Sequence, residues 1–217
     1  MTKLTGPEYI PSQPVKHAVI FLHGLGSNGQ DLIGLAPFMS PHLPDTAFFA
    51  PNAPLAMNFT ADGYQWFEYW DRTPLQIMAD IQQAVPLLID YVSDICARFD
   101  LETENIVLCG FSQGTMMSLH VGLRHIENLG GIVGFSGMLL SPETLGSEQL
   151  PELPPVLLVH GMQDPVVPFL ASQQAEAALM FLGGDVALVE RPNLQHSIDE
   201  VGISSAVEFC RKIFAIA

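Results

Sequence analysis

Ser112 stands between two glycines in Gly110-Phe111-Ser112-Gln113-Gly114. The apolar run Asn105-Ile106-Val107-Leu108-Cys109 precedes it and reads as a buried strand; Thr115 to Leu123 follows and reads as a helix. A serine at a strand-to-helix turn of this kind is held in a strained backbone conformation that lifts its hydroxyl clear of the sheet. Glycine on either side has no Cβ to clash in so tight a turn. The chemistry open to such a serine is nucleophilic attack on an acyl carbon. The pattern is short and recurs by chance, so its meaning depends on a base, an acid and oxyanion donors standing in the right places.

A serine hydroxyl needs a base to take its proton, and at this kind of turn the partners follow in the order Ser, then Asp or Glu, then His. They belong in loops at the carboxyl ends of strands, where an open parallel sheet forms its crevice. Of the seven histidines, His17, His23 and His42 precede the serine, and His120 and His125 lie on the helix after it. His160 ends a strand ahead of the acid. His196, in Asn193-Leu194-Gln195-His196-Ser197, satisfies both order and location; the alternative is a surface loop histidine. For the acid, Asp164 lies in the loop leaving His160-Gly161, with Pro165 and Pro168 putting it too early for a close helix cap. Asp185 sits at the wrong end of its strand. Asp199 and Glu200 fall in the first turn of the last helix, where carboxylates offset the helix dipole.

Acyl transfer also needs backbone N–H groups aimed at the developing oxyanion. Gln113 follows the nucleophile at a helix start, and Leu25 in His23-Gly24-Leu25-Gly26 lies at an early strand-to-loop junction; these are the expected donors. Because a backbone donor survives truncation, Gln113→Ala is expected to matter less than loss of Ser112. The glycines of this loop could instead make an ordinary turn, and the G-x-x-x-x-G-K pattern of a phosphate loop is absent.

The elements that must position these residues alternate. Strands are expected at 17–23, 46–50, 105–109, 132–136, 156–161 and 186–190. Helices are expected from about Gln30 to Met39, from Leu75 to Phe99 with a bend at Pro86, after the serine turn, over 169–181 with Gly183-Gly184 as its stop, and over 198–214. Residues 52–73 read as irregular and aromatic. Apolar strands alternating with helices predict an α/β fold, a mostly parallel sheet flanked by helices, in one domain over 1–217. The aromatic segment Phe59 to Trp70 and Met138-Leu139-Leu140 either wall a hydrophobic pocket or pack on the core; Trp66 and Val167 are the candidate pocket residues.

The chain has 217 residues, 48% of them hydrophobic and 14% charged, with a net charge of −15. That acidity disfavours nucleic acid and anionic lipid surfaces. No run approaches the ~20 apolar residues of a membrane span. The segment Met1 to Pro7 lacks the apolar core of a signal peptide, and three cysteines, an odd number, fit reduced thiols, so a cytoplasmic location is expected. High apolar content with few charges hints at a homodimer. No metal or organic cofactor is required by the chemistry.

Taken together, Leu22-His23-Gly24-Leu25-Gly26, Ala50-Pro51-Asn52-Ala53-Pro54, Trp66-Phe67, the serine pentapeptide, His160-Gly161 with Asp164, Val167-Pro168 and His196-Ser197 resemble the α/β-hydrolase family of small carboxylesterases and acyl-protein thioesterases, also described as lysophospholipases. The resemblance implies an α/β-hydrolase fold without a large lid domain, a Ser112–His196–Asp164 triad, and oxyanion donors at Leu25 and Gln113. It implies hydrolysis of carboxylic esters or acyl thioesters. The alternatives are a long-chain thioesterase or lysophospholipase and, less in keeping with a complete triad, a non-catalytic binding protein on the same scaffold. The family often carries a glycine just before the catalytic histidine; Leu194 and Gln195 stand there instead.

Overall fold

Buried Val, Ile, Leu and Phe runs with few charges make strands that must be covered on both faces, and the computed structural model, which describes residues 3–57 and 62–216, is built that way. In chain order it contains β1 (Glu8–Tyr9), β2 (His17–Leu22), α1 (Gly29–Leu32), α2 (Ala36–Met39), β3 (Thr46–Phe49), β4 (Leu55–Ala56), β5 (Tyr64–Gln65), α3 (Pro74–Phe99), β6 (Ile106–Phe111), α4 (Gln113–Arg124), β7 (Gly131–Phe135), α5 (Pro142–Leu145), β8 (Val156–Gly161), α6 (Leu170–Phe181), β9 (Val186–Arg191) and α7 (Glu200–Ile213). The main sheet has seven strands in the order β1-β3-β2-β6-β7-β8-β9, and every pairing but β1 with β3 is parallel. The mostly parallel α/β architecture expected from the sequence is what forms.

Alternate strand residues feed two cores. Ile20, Leu22, Leu108 and Leu158 face α3, α4 and α6, whereas Val19, Phe21, Val107 and Val159 face α2 and α7. The α3 stripe Ile81, Val85, Leu88, Val92 and Ile95 is buried as its periodicity requires. Thr73 and Gln76 form a capping box that starts this helix, and Pro86 lies within it.

Several boundaries differ from expectation, each for a local reason. The segment expected as one helix to Met39 is two short helices, α1 and α2, joined by a 3-10 turn over Ile33–Leu35. Pro37 has no N–H to continue a helix from α1 but is tolerated in the first turn of α2. Residues 52–73 are not wholly irregular: β4 and β5 pair antiparallel as a small separate hairpin. Strand β6 runs on to Phe111, and α4 starts at Gln113, so Ser112 alone links them. Asp199 is the N-cap of α7 and not part of its first turn. Phe59 lies outside the described residues. Among the described residues, no helix is long and apolar enough to cross a membrane.

Candidate active site

With one residue to turn the chain from β6 into α4, Ser112 adopts φ 54°, ψ −115°. A non-glycine residue at positive φ persists only where its surroundings fix it. The Ser112 N–H donates to the Phe135 carbonyl on β7 at 2.9 Å. The flanking glycines are required by close approach: a Cβ on Gly114 would lie 1.8 Å from the Leu22 carbonyl oxygen, and one on Gly110 would lie 2.3 Å from the Gly114 carbonyl carbon. The turn is thus wedged against the end of β2.

Asp164 sits in the turn that leaves β8. Its Oδ1 accepts the Val166 and Val167 N–H groups at 2.8 and 2.9 Å, and its Oδ2 lies 2.7 Å from His196 Nδ1. It therefore shapes its own loop and not the start of α6. Burial pushes the carboxyl pKa up, but hydrogen bonds from His196, Val167 and Val166 outweigh it and hold the group below its ordinary value. An ionised Oδ2 facing Nδ1 requires the hydrogen on Nδ1, which leaves Nε2 of the neutral ring as an acceptor. The Phe111 ring packs on His196 with centroids 4.9 Å apart.

The loops carrying the acid and the histidine are bonded to each other. Met162 N–H donates to Arg191 O at 2.9 Å and Gln163 N–H to Leu194 O at 3.0 Å. Arg191 Nε and Nη2 both reach Asp199 Oδ2, and Asp199 Oδ1 accepts the Gly202 N–H at 2.8 Å, so the loop is clamped at both ends. A glycine before the histidine is not needed here because the close approach falls elsewhere: a Cβ on Gly161 would come within 2.3 Å of Leu194 O and 2.5 Å of Gln195 O.

The loop after β2 lies beside Ser112; a Cβ on Gly24 would be 3.3 Å from Ser112 Cβ. His23 is buried, with Nδ1 2.8 Å from Gly24 O and Nε2 3.0 Å from the Ala53 N–H. The amide can only donate to Nε2, so Nδ1 carries the hydrogen and the ring is neutral; burial lowers its pKa, against a smaller rise from the Gly24 contact. Trp66 does not line the pocket. Its indole is buried, its Nε1–H donates to His23 O at 3.0 Å, and it supports the loop from behind.

Ser112, His196, Leu25 and Gln113 line one cavity of about 450 Å³, with Asp164 behind His196. Val167 lines it too, and its aromatic residues include Tyr69 and Trp70 but not Trp66. Met138, Leu139 and Leu140 line a separate hollow of about 320 Å³ that shares Tyr69 with the first. Among the described residues, no group of three or more His, Cys, Asp or Glu is arranged to hold a metal ion. The supporting roles of His23 and of the Gln113 side chain are not evident from the sequence; their signal there is a polar residue abutting a strand end or helix start where the core begins.

This arrangement can attack an acyl carbon, shuttle a proton and hold an oxyanion. A family model described as phospholipase/carboxylesterase matches residues 9–214. An acyl-protein thioesterase 1 from Gibberella zeae is 29% identical over 221 residues, spanning 89% of this chain and 89% of that protein. One from Kluyveromyces lactis is 33% identical over 176 residues, 76% of this chain and 77% of that protein. The crystal structure of esterase PE8 superposes with a TM-score of 0.91 at 40% identity, covering 98% of this chain and 100% of that one. The chain belongs to the phospholipase/carboxylesterase family of α/β-hydrolases.

Proposed function

We propose that this protein hydrolyses carboxylic esters or acyl thioesters through an acyl-enzyme on Ser112. The observation that carries the reading is a strained Ser112 sharing one cavity with His196, whose Nδ1 is held at 2.7 Å by buried Asp164. His196 Nε2 takes the Ser112 proton as the oxygen attacks the carbonyl carbon. Asp164 orients the ring and stabilises the imidazolium. The Leu25 and Gln113 N–H groups receive the oxyanion; Gln113 is the first residue of α4, so its N–H has no intrahelical acceptor. His196 then returns the proton to the leaving alcohol or thiol, and water, deprotonated by the same ring, releases the acid.

A fluorophosphonate probe should label Ser112, and Ser112→Ala should abolish labelling and ester hydrolysis together. Full activity in that variant would overturn the reading.

One observation favours long acyl chains over short ones. The hollow bounded by Ile77, Met78, Met138 and Leu140 shares Tyr69 with the cavity of Ser112, placing further apolar surface beside it. A chain-length series of nitrophenyl esters, set beside palmitoyl-CoA and lysophosphatidylcholine, tests this; a kcat/KM maximum at acetate would rule the extended site out.

A further inference from the structure

His160, near the end of β8, is fully buried and lies on the α6 side of the sheet. Its Nδ1 is 2.6 Å from the Ser172 hydroxyl in the first turn of α6. Its Nε2 is 2.9 Å from the Val167 carbonyl oxygen and 3.2 Å from Asp164 Oδ2. Both of those oxygens only accept, so Nε2 carries the hydrogen. Nδ1 of the neutral ring is then an acceptor for the Ser172 hydroxyl. Burial keeps the ring below its ordinary pKa, with smaller opposing contributions from Val167 and Asp164, in accord with a neutral ring.

We propose that His160 is a positioning residue for the acyl-transfer site: its Nε2–H, with the ring held by Ser172, bonds the Val167 carbonyl and lies beside Asp164 Oδ2, and so fixes the turn whose carboxylate holds His196. This rests on the reading of Ser112, His196 and Asp164 given above. The Asp164 side chain is wholly buried, so no water replaces a missing donor at no cost. Two backbone N–H groups hold Oδ1; Oδ2 takes the His196 hydrogen bond at 2.7 Å, with His160 Nε2 3.2 Å away and bonded to the Val167 carbonyl of the same turn. Removing the His160 donor concentrates the carboxylate charge on His196 and frees it to rotate. The His196 ring is then held less tightly in the cavity it shares with Ser112. The titratable groups facing His160 are Asp164 and, behind it, His196. The charged residues on the flanking elements are Glu176 of α6 and Glu190 and Arg191 of β9, none hydrogen-bonded to it among the described residues.

The test compares wild type, His160→Leu, His160→Gln and Ser172→Ala by kcat, KM and the pH dependence of kcat/KM on p-nitrophenyl butyrate, with fluorophosphonate labelling of Ser112 in each. His160→Leu keeps bulk and removes the donor; its kcat should fall about ten- to a hundredfold with KM nearly unchanged, and the acid limb of kcat/KM should move up by about half a unit or more. His160→Gln, which can place an N–H near the Nε2 position, should recover most of the rate and return the limb toward wild type. Ser172→Ala should lower kcat by about three- to tenfold and move the limb in the same direction. A folded His160→Leu with wild-type kcat and limb overturns the proposal. So does equal impairment of Leu and Gln variants with an unmoved limb, which would make the ring mere packing. Should His160→Leu not fold, a wild-type profile for Ser172→Ala overturns it instead. If wild-type Ser112 itself is not labelled, the reading of the active site fails, and that outcome is distinct from all of these.

Discussion

Gln113, which lines the cavity of Ser112 and His196, is joined to Trp66 behind it: the Gln113 side-chain Oε1 accepts the Trp66 backbone N–H at 2.9 Å. The same amide donates through Nε2 to the Phe67 carbonyl at 2.8 Å. The residue after the nucleophile therefore fastens α4 to the aromatic segment whose indole, in turn, holds the loop of His23 and Leu25. Both walls expected to supply oxyanion donors hang on one buried side chain.

Truncating Gln113 should still matter less than losing Ser112, but these two bonds give the side chain a cost of its own. Gln113→Ala keeps its backbone N–H but strands the Trp66 N–H and the Phe67 carbonyl in a buried place. We expect a loss of about 2–4 kcal/mol in unfolding free energy, since each buried unsatisfied group costs about 1–3 kcal/mol, and a clear fall in kcat. Urea unfolding and ester kinetics measure both. An unchanged midpoint would show that the bridge is dispensable.

Which parts of this were legible follows from the range of the interactions. The strands, the turn at Ser112 and the loops of Asp164 and His196 are written in local patterns: apolar runs, glycine spacing and chain order. Gln113 meets Trp66 across 47 residues, and no local pattern marks such a pair. The same holds for Ala53 N–H on His23, 30 residues apart. Trp66 and Trp70 look alike in sequence, yet the first, directly after β5, is buried behind the loop and the second is exposed at the cavity. The strands β1, β4 and β5 have two residues each, too short to show a period.

Gly161 should be as intolerant of a side chain as the glycines around Ser112. An alanine there drives its Cβ into the Leu194 and Gln195 carbonyls and pushes the segment before His196 off the Asp164 turn. Because displacement of a catalytic group by about 1 Å costs about a hundredfold, kcat for Gly161→Ala should drop by about tenfold or more. Gly34→Ala, where a Cβ meets nothing within 4 Å, is the control. Equal kcat for the two variants would show that the loop yields.

Acid should destabilise the fold through several groups acting in the same direction, Asp164 and His120 among them. Asp164 has a depressed carboxyl pKa, so the stability it contributes is present above the ordinary carboxylate range and is lost as pH falls through the folded value. His120 is held neutral, its pKa pushed down to about 3 by burial first and then by the Arg124 and His125 charges. The unfolded chain protonates that residue near ~6.5. From there down to about 3 the unfolded state binds more protons, so stability decreases as pH drops. Urea midpoints should fall between pH 7 and pH 4, and the fall should be shallower for His120→Gln. Parallel curves would assign the acid sensitivity elsewhere.

Asp199 does two jobs that substitutions can separate. Its Oδ1 caps α7 through the Gly202 N–H, and its Oδ2 holds Arg191, closing the loop that carries His196. Asp199→Ala loses the cap, worth ~1 kcal/mol, and the pair with Arg191, which is partly exposed and adds less than ~1 kcal/mol. Asp199→Asn keeps an acceptor for the cap but gives up the charge. Stability should therefore order as wild type, then Asn, then Ala. Activity should order differently: if the clamp on Arg191 is what holds the histidine loop, kcat should fall by a similar factor in both variants. Urea midpoints and kcat on one ester measure the two orders. An Asn variant with wild-type kcat would mean that the hydrogen bonds from Met162 and Gln163 hold the loop without help from the ion pair.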